Sequence, residues 1–429
     1  MKVLHVPYVF HPDPVGGTEV YVQNLIRALR PLGCTGAIAA PGSATIHYLW
    51  QDLPVYRYGL NPHPKPSEIY GPGDTMSLPA WREILQTVQP AIVHFHALTA
   101  GVSLRHVRVA KELGLPVVFT YHTPTVSCQR GTLLRWGKEI CGGDLAVSPC
   151  GACALQGLGV PQPLAQVLAR LPGALTQGLP DRRGVWTALK FRGLATQRQQ
   201  VFRAMMQEAT AIVAVCRWAQ EVLIVNGVPP QKIALCRQGF AGAVPTLEPK
   251  SLGPSLAIAC LGRFDPVKGM DVLIQAWQRM PQVPATLDIY GVGNPTYGAT
   301  LRALAAHDSR IAFRAPVPPE QVGPTLARYD LLAVPSQWLE TGPLVVYEAF
   351  AAGVPVVGSG LGGIAELVTP EQDGVLVSHY ADPVAWARVL TALALDRDRR
   401  ERLRAGVRSP RTMKDVAIEM VALYESLLA

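Results

Sequence analysis

The sequence predicts an α/β protein built from two doubly wound parallel-sheet domains. Two observations support this prediction. Short apolar strands alternate with helical segments along the chain, and each half opens with the same strand, glycine turn and helix. In the first half, strand Val3–Val6 leads to Gly16-Gly17 and a helix; in the second, strand Leu256–Leu261 leads to Gly262 and helix Met270–Met280. Such strands are typical of parallel sheets covered by helices on both faces.

The length of 429 residues allows two domains with full cores. We assign residues 1–240 to the first domain, with a four-cysteine insertion at 128–153, and residues 255–408 to the second. Between them, residues 241–254 are rich in Pro, Gly and Ser and lack periodicity, which is typical of a linker. Residues 409–429 follow a Ser-Pro break and form a final helical segment.

The composition is that of a folded protein, with 49% hydrophobic and 16% charged residues. A net charge of +8 indicates anionic partners such as phosphates, a membrane surface or nucleic acid. The first residues lack the features of a signal peptide, and no apolar run approaches the ~18 residues of a membrane span. We therefore expect a cytoplasmic protein, with any membrane contact peripheral and at the inner face.

Two histidines end neighbouring predicted strands of the first domain. Strand Ala91–His96 ends at His96, and strand Val117–His122 ends at His122. Ligands of open α/β sheets bind beyond the carboxyl ends of the strands, so both side chains are expected at that edge near Gly16-Gly17. A lone histidine is more often a packing residue, but this grouping favours a functional role for His122.

Four cysteines cluster in a glycine-rich segment with the spacing Cys-x12-Cys-x8-Cys-x2-Cys. They are Cys128, Cys141, Cys150 and Cys153. Four thiols around one Cys-x-x-Cys suit a tetrahedral structural zinc ion. An iron–sulfur cluster requires the same number of ligands. Two disulfides are less expected in a cytoplasmic protein.

Residues 161–210 form a basic segment, with seven Lys/Arg against two Asp/Glu. Trp186, Phe191 and Phe202 are interspersed. Such a segment can rest on an anionic membrane or meet a phosphorylated acceptor. The alternative is a solvated helical face whose aromatic residues lie in the core.

The turn that opens the second domain combines glycines with cations. Gly262-Arg263 and Lys268-Gly269 bracket the corner between a strand and a helix. A guanidinium fork and an ammonium group at such a corner suit the oxygens of a diphosphate.

A second anion site is predicted after strand Leu331–Val334. Pro343 is well placed as the first residue of a helix that ends at Gly353. The first-turn amides of a helix have no helical partner, and the helix dipole favours negative charge there. Glu340 in the loop and Glu348 in the helix suit hydroxyl groups rather than phosphate. Together these features predict a nucleotide-sugar site.

Taken in order, the motifs resemble the retaining GT-B glycosyltransferases of family-4 type, also called group 1. The resemblance rests on Gly16-Gly17-Thr18-Glu19, His122, Gly239, Gly262-Arg263…Lys268-Gly269, Pro335-Ser336, Glu340-x7-Glu348-Ala349 (the EX7E motif), Ala352-Gly353-x-Pro355 and Gly362-Gly363-x-x-Glu366. It implies two Rossmann-like domains with the active site in the cleft between them. It also implies that the final helix, within 409–429, crosses back to the first domain.

The resemblance further implies roles for individual residues. Arg263 and Lys268 would hold the donor diphosphate, Glu340 the sugar hydroxyls and Glu348 the ribose. The predicted catalytic residues are Arg263, Lys268, Glu340 and His122, and the predicted donor contacts are Gly16, Gly17, Gly262, Gly342, Leu344, Val345 and Glu348.

Two departures from the family pattern affect the donor site. The sequence has Thr341-Gly342-Pro343 where many members have Gly-Phe-Gly, and Pro343 can donate no N–H to phosphate. Ala315 replaces a common glycine at the loop expected to meet the base. The donor is therefore left open among UDP-, GDP- and ADP-sugars.

The implied activity is transfer of a hexosyl group from a nucleoside diphosphate sugar to an acceptor hydroxyl, with retention and without a catalytic metal. The acceptor is a polysaccharide, a lipid-linked sugar or a small molecule, and nucleic acid is not expected as a partner. The alternatives are an epimerase or phosphorylase of the same fold, a basic four-Cys zinc protein that binds nucleic acid, and a non-catalytic sugar-nucleotide-binding protein.

Overall fold

The structure is a computed structural model that describes residues 1–176, 178–242 and 253–429. The chain divides into two compact units. The first unit contains Met1–Arg237 and Met413–Ala429, and the second contains Gln238–Thr412. Most of the predicted linker, 241–254, lies outside the described residues.

The first unit is built on an eight-stranded sheet. In chain order its strands are Lys2–Val6, Thr35–Gly42, Ile46–Trp50, Leu53–Gly59, Ile92–Phe95, Val117–Tyr121, Ala211–Ala214 and Ile233–Leu235. Every neighbouring pair is parallel except the hairpin formed by the third and fourth strands. Lys2–Val6 lies between Thr35–Gly42 and Ile92–Phe95, so the strand order reverses beside it. In open α/β sheets, ligands bind at such a reversal, beyond the carboxyl ends of the strands.

Helices cover both faces of this sheet. They span Gly17–Leu29, Pro66–Ile69, Leu78–Val88, Leu104–Glu112, Val147–Gly157, Gln162–Leu168, Val185–Leu189, Phe191–Glu208, Arg217–Val225 and Met413–Ser426. The last of them packs against Gly17–Leu29, and its buried residues Val416, Met420 and Tyr424 join the core formed by the first strand and first helix. The C-terminal helix is therefore part of the first unit.

The second unit has six parallel strands in the Rossmann order 3-2-1-4-5-6. In chain order they are Leu256–Leu261, Ala285–Tyr290, Ile311–Arg314, Leu331–Val334, Val356–Ser359 and Gly374–Val377. Its helices are Met270–Gln278, Pro295–Ala305, Val322–Leu326, Leu344–Ala351, Gly362–Leu367, Pro383–Leu395 and Arg397–Gly406. The order reverses between the first and fourth strands, which places the loops after Leu261 and Val334 side by side.

The predicted fold class, two Rossmann-like parallel-sheet domains, is confirmed. Three local expectations were wrong or incomplete. The Pro- and Tyr-rich sequence of residues 54–73 is typical of irregular structure, but Leu53–Gly59 is a strand, because Leu53 and Val55 alternate into the core despite Pro54. The short strand Gly374–Val377 was not predicted, and Cys150 and Cys153 lie on helix Val147–Gly157, which their glycine-rich segment did not indicate. Among the described helices, none has the length and apolar character needed to cross a bilayer.

Candidate active site

The turn after strand Leu256–Leu261 presents two cations in different settings. Arg263 is 63% exposed, and its Nη2 lies 3.6 Å from Asp265 Oδ2. Lys268 ends a single helical turn that Asp265 caps by accepting the Val267 amide at 3.1 Å. Gly269 follows at φ +66°, and a Cβ there would lie 2.0 Å from the Pro335 carbonyl oxygen. Only glycine permits this close approach, which sets Lys268 beside the loop after the fourth strand.

Lys268 and Glu340 form an ion pair. Lys268 Nζ lies 2.5 Å from Glu340 Oε1, and the Ser336 hydroxyl donates to the same oxygen at 2.8 Å. The Glu340 side chain is 9% exposed, so this carboxylate is almost removed from water. The Lys268 ammonium also lies 5.7 Å from the centre of the Trp338 ring. Two predicted site residues that are distant in the sequence are therefore in direct contact.

The helix after Glu340 begins one residue later than predicted. It spans Leu344–Ala351, and Pro343 precedes it as the N-cap rather than being its first residue. Val346 is the first residue whose amide is paired, donating to the Pro343 carbonyl at 3.0 Å. Within the part of the chain that the structure describes, the Leu344 and Val345 amides have no acceptor. These two N–H groups fit the predicted phosphate site.

A glycine turn supports the Glu340 loop from behind. The Gly363 amide donates to the Glu340 carbonyl oxygen at 2.7 Å, and a Cβ on Gly363 would lie 2.6 Å from that oxygen. Gly342, predicted to contact the donor, adopts φ +132°, a backbone conformation that favours glycine. The Gly362-Gly363 part of the motif therefore positions the Glu340 backbone.

Glu348 lies on the Leu344–Ala351 helix, in a desolvated setting. Burial raises the pKa of its carboxyl to about 7. None of the described residues forms a hydrogen bond or ion pair with its side chain. The carboxyl therefore changes charge near neutral pH, and its hydrogen-bonding capacity is available to a ligand.

The residues that follow the predicted glycine turn of the first unit border a cavity of about 1030 Å³. Gly16 is the N-cap of helix Gly17–Leu29, and its amide donates to Glu19 Oε2 at 2.9 Å. A Cβ at Gly17 would meet no atom within 4 Å. Thr18 and Glu19 line the cavity together with His96, Thr123, Arg130 and Arg198.

His122 and His96 meet, as their position at one sheet edge predicted, but they belong to a larger buried cluster. His96 Nδ1 lies 3.0 Å from His122 Nε2, and His96 Nε2 lies 3.1 Å from His5 Nδ1. His94 bonds Tyr424 and Thr120, at 2.7 and 2.6 Å. One ring nitrogen from each of His5, His94 and His96 lies within 4.8 Å of the other two.

Burial keeps these imidazoles uncharged. It lowers the pKa of His5 and of His122 to about 3, and the pKa values of His94 and His96 are also held well below 6.5 by burial and by neighbouring histidines. Sequence reasoning missed His5 and His94. The usable signal was the alternation His94-Phe95-His96, which places both histidines on one face of a strand.

The four clustered cysteines converge on one small cavity of about 70 Å³. Their side chains are free thiols, and Cys153 Sγ accepts the Trp136 amide at 3.2 Å. Burial raises the pKa of the Cys150 thiol to about 11. Among the described residues, only the three histidines above form a group of three or more ligand atoms within 4.8 Å of one another, so the four sulfurs do not have metal-ligand spacing. Four cysteine sulfurs are a donor set that suits zinc, but the distances between them would have to shorten for all four to bind one ion.

Comparison with known families decides the classification. A model for "Glycosyltransferase Family 4" matches residues 15–167, and a model for "Glycosyl transferases group 1" matches residues 255–396. The chain belongs to the family 4, group 1 glycosyltransferases. The first match covers the Gly16-Gly17 turn, His122 and the cysteine cluster, and the second covers the Lys268–Glu340 site.

A curated relative also matches part of this family 4 chain. D-inositol 3-phosphate glycosyltransferase from Xylanimonas cellulosilytica is 40% identical over 152 residues. The match covers 34% of this chain and 36% of the relative, so only about a third of that relative's length is matched.

Two solved structures share the fold along the whole chain. Anabaena HepE in complex with UDP and glucose has a TM-score of 0.65 at 15% identity, covering 99% of this chain and 100% of that one. Sucrose-phosphate synthase from Thermosynechococcus elongatus has a TM-score of 0.63 at 19% identity, covering 100% and 99%. The fold is that of GT-B glycosyltransferases.

Proposed function

We propose that this family 4 glycosyltransferase transfers a hexosyl group from a nucleoside diphosphate sugar to an acceptor hydroxyl. One observation carries the proposal. A lysine, a desolvated carboxylate and two helix N-terminal amides that find no acceptor among the described residues occur together where the strand order of the second unit reverses. Cations and amides suit a diphosphate, and a carboxylate suits sugar hydroxyls.

In the proposed reaction, the second unit stabilises the departing diphosphate. The negative charge that develops on the diphosphate would be stabilised by Arg263, Lys268 and the amides of Leu344 and Val345. Glu340 would accept hydrogen bonds from the transferred sugar, and Glu348 from the ribose. Electrostatic stabilisation by these groups requires no catalytic metal.

We propose that transfer retains the anomeric configuration through attack on the same face as the leaving group. The acceptor oxygen forms the new bond to the anomeric carbon as the bond to the diphosphate oxygen breaks. That phosphate oxygen then takes the acceptor proton. Glu340 is a poor candidate for a nucleophile, because Lys268 and Ser336 already engage the same carboxylate oxygen. His122, uncharged at neutral pH, would serve near the sugar as a hydrogen-bonding group.

The acceptor is assigned to the cavity of the first unit. That cavity lies beside Gly16-Gly17 and carries Arg130 and Arg198. The name of the matched Xylanimonas relative contains a phosphorylated molecule, D-inositol 3-phosphate, and a phosphorylated acceptor would suit this cationic lining.

The cysteine cluster is proposed as a structural zinc site, with an iron–sulfur cluster as the alternative. The convergence of Cys128, Cys141, Cys150 and Cys153 on one cavity supports a shared ligand. A bound zinc ion would cross-link the loop that carries Cys128 and Cys141 to helix Val147–Gly157, which carries Cys150 and Cys153.

The donor assignment can be tested by measuring hydrolysis and transfer across UDP-, GDP- and ADP-hexoses. We expect Arg263→Ala and Lys268→Ala each to lower kcat/KM for the active donor by about 10²-fold to 10³-fold, the usual effect of removing one stabilising group. Arg397→Ala is the matched control, since Arg397 is 57% exposed and pairs with Glu401 on a surface helix. Wild-type rates in both site variants would refute the assignment.

A further inference from the structure

An apolar groove lies on the surface of the first unit, outside the proposed donor site. Its volume is about 870 Å³, and its lining includes Leu155, Leu158, Leu164, Leu168, Val185 and Leu189. Leu158, Leu164 and Val185 are 63%, 50% and 65% exposed. Large apolar side chains gathered in one exposed concavity mark a binding surface more often than isolated exposed ones do.

The groove adjoins the acceptor cavity. Ile69 and Tyr70 line both, so the two spaces share a wall. The Tyr70 ring packs edge-on against Phe191, with ring centroids 5.4 Å apart. Tyr70 and Arg198 both line the acceptor cavity. One side chain thus separates a cationic cavity from an apolar groove.

Arg198 supplies a buried positive charge to the acceptor cavity. It is 9% exposed, and its Nη2 donates only to the carbonyl oxygens of Leu98, Thr125 and Val126. Throughout the described ranges, no carboxylate pairs with it. Burial lowers its pKa to about 10, so it remains charged at neutral pH. A desolvated guanidinium without a counter-ion is stabilised by an anionic ligand.

The charge around the groove points to the same chemistry. Arg183 lines the groove, and residues 161–210 carry seven Lys/Arg against two Asp/Glu. In contrast, Arg57 in the acceptor cavity is already paired with Asp13. A small polar acceptor would use the cavity and leave the groove in water, whereas an amphiphile would use both.

We propose that the acceptor is an amphiphile, with a phosphate or diphosphate head beside Arg198 and an apolar chain in the groove. This inference rests on the proposed function, because it specifies the acceptor of the same enzyme. The chain would pass over Ile69 and Tyr70, and burying it would remove apolar surface from water on both partners.

The first experiment separates the contribution of the head from that of the chain. Binding to the full chain is measured by titration calorimetry with dodecyl phosphate, inorganic phosphate and dodecyl maltoside, the two dodecyl compounds being kept below their critical micelle concentrations. Dodecyl phosphate should bind at least about tenfold more tightly than either of the other two, because only it supplies both groups. Equal binding by inorganic phosphate would show a small anionic acceptor, and equal binding by dodecyl maltoside would show apolar adsorption; either overturns the proposal.

The second experiment uses two positions on one helix. Leu164 and Val167 both lie on Gln162–Leu168 and are 50% and 59% exposed, but only Leu164 lines the groove. Leu164→Ser should lower the affinity for dodecyl phosphate several-fold and leave the affinity for inorganic phosphate unchanged. Val167→Ser should change neither affinity. Identical effects of the two substitutions would refute a chain in the groove.

The head is tested by Arg198→Gln, with Arg192→Gln as control on the same helix, Phe191–Glu208. Arg198→Gln should lower the affinity for dodecyl phosphate to that for dodecyl maltoside, provided that its unfolding temperature matches the wild type; an unchanged affinity would refute the Arg198 contact. If Arg198→Gln fails to fold, the Leu164 comparison still decides the inference.

Failure of the amphiphilic-acceptor inference and failure of the proposed function would give different experimental results. Nucleotide-sugar hydrolysis that depends on Lys268, combined with failure of the dodecyl phosphate comparison, would retain the glycosyltransferase and reject the amphiphilic acceptor. Absence of binding and turnover for every nucleotide sugar would reject the function itself.

Discussion

The Lys268 ammonium lies 2.5 Å from the Glu340 carboxylate, although 72 residues separate them in the sequence. The family pattern implies that the lysine holds the diphosphate and the glutamate holds the sugar. In the protein alone, the two groups neutralise each other. The first prediction follows from this pair.

If UDP is the nucleotide, Lys268→Met should weaken the binding of both UDP and the UDP-sugar, because both ligands carry the diphosphate. Glu340→Gln should leave UDP affinity within about twofold and lower kcat for the sugar donor by at least about tenfold, because only the sugar meets this carboxylate. Calorimetry and initial rates measure the two effects. Equal loss of UDP affinity in both variants would contradict the division of roles.

The second prediction concerns Glu348, whose pKa burial raises to about 7. An ionised carboxylate accepts hydrogen bonds from ribose hydroxyls better than a protonated one does. Nucleotide affinity should therefore increase as the pH rises from 6 to 8. Glu348→Gln should bind more weakly at pH 8 and lose most of this dependence. A wild-type slope in that variant would assign the titration to another group.

The third prediction concerns the stability of the histidine cluster at acid pH. The pKa of His122 is about 3 in the folded protein, against about 6.5 in an unfolded chain. Below pH 6.5 the unfolded chain takes up a proton that the folded protein excludes, so the free energy of unfolding falls as the pH drops toward 3. Each such histidine contributes about 1.4 kcal/mol per pH unit.

Urea unfolding at pH 7, 6 and 5 tests this, with His122→Asn compared with the exposed control His63→Asn. The His122 variant should show a shallower loss of stability below pH 6.5, and His63→Asn should follow the wild type. Parallel curves for all three proteins would show that His122 does not resist protonation.

The fourth prediction concerns the contact between the C-terminal helix and the sheet of the first unit. The Tyr424 hydroxyl lies 2.7 Å from His94 Nδ1, and both side chains are fully buried. Tyr424→Phe removes one partner and leaves a buried nitrogen unsatisfied, which costs about 1–3 kcal/mol. Tyr8→Phe, at a 59% exposed tyrosine, is the control. An unchanged unfolding midpoint in Tyr424→Phe would show that the hydrogen bond adds no stability.

The fifth prediction concerns the cysteine cluster. Purified protein should contain close to one equivalent of zinc by elemental analysis, and Cys150→Ser or Cys153→Ser should reduce it. Chelation should lower the unfolding temperature, because the metal binds the folded segment better than the unfolded one. Cys34→Ser controls for a buried cysteine outside the cluster. Stoichiometric iron would favour the cluster alternative, and metal-free protein of unchanged stability would contradict both.

The local pattern of the chain was enough to predict most strands of both sheets and, to within one residue, the start of helix Leu344–Ala351. Apolar strands, glycine turns and the Leu344–Ala351 helix depend on interactions between neighbours in sequence, so their residues carry the signal directly. Residues 54–59 show where this reasoning failed. Their proline and tyrosines are typical of a loop, but hydrogen bonding to strand Thr35–Gly42 places them in the sheet.

Tertiary structure alone decided which side chains meet. The motifs indicated that Lys268 and Glu340 belong to one site, but their ion pair depends on adjacent strands of the second sheet. The same holds for His5 with His96, and for Ile69 and Tyr70 between the cavity and the groove. These contacts join residues far apart in the chain, and their free energies depend on distance and desolvation, which become defined only when the sheets assemble.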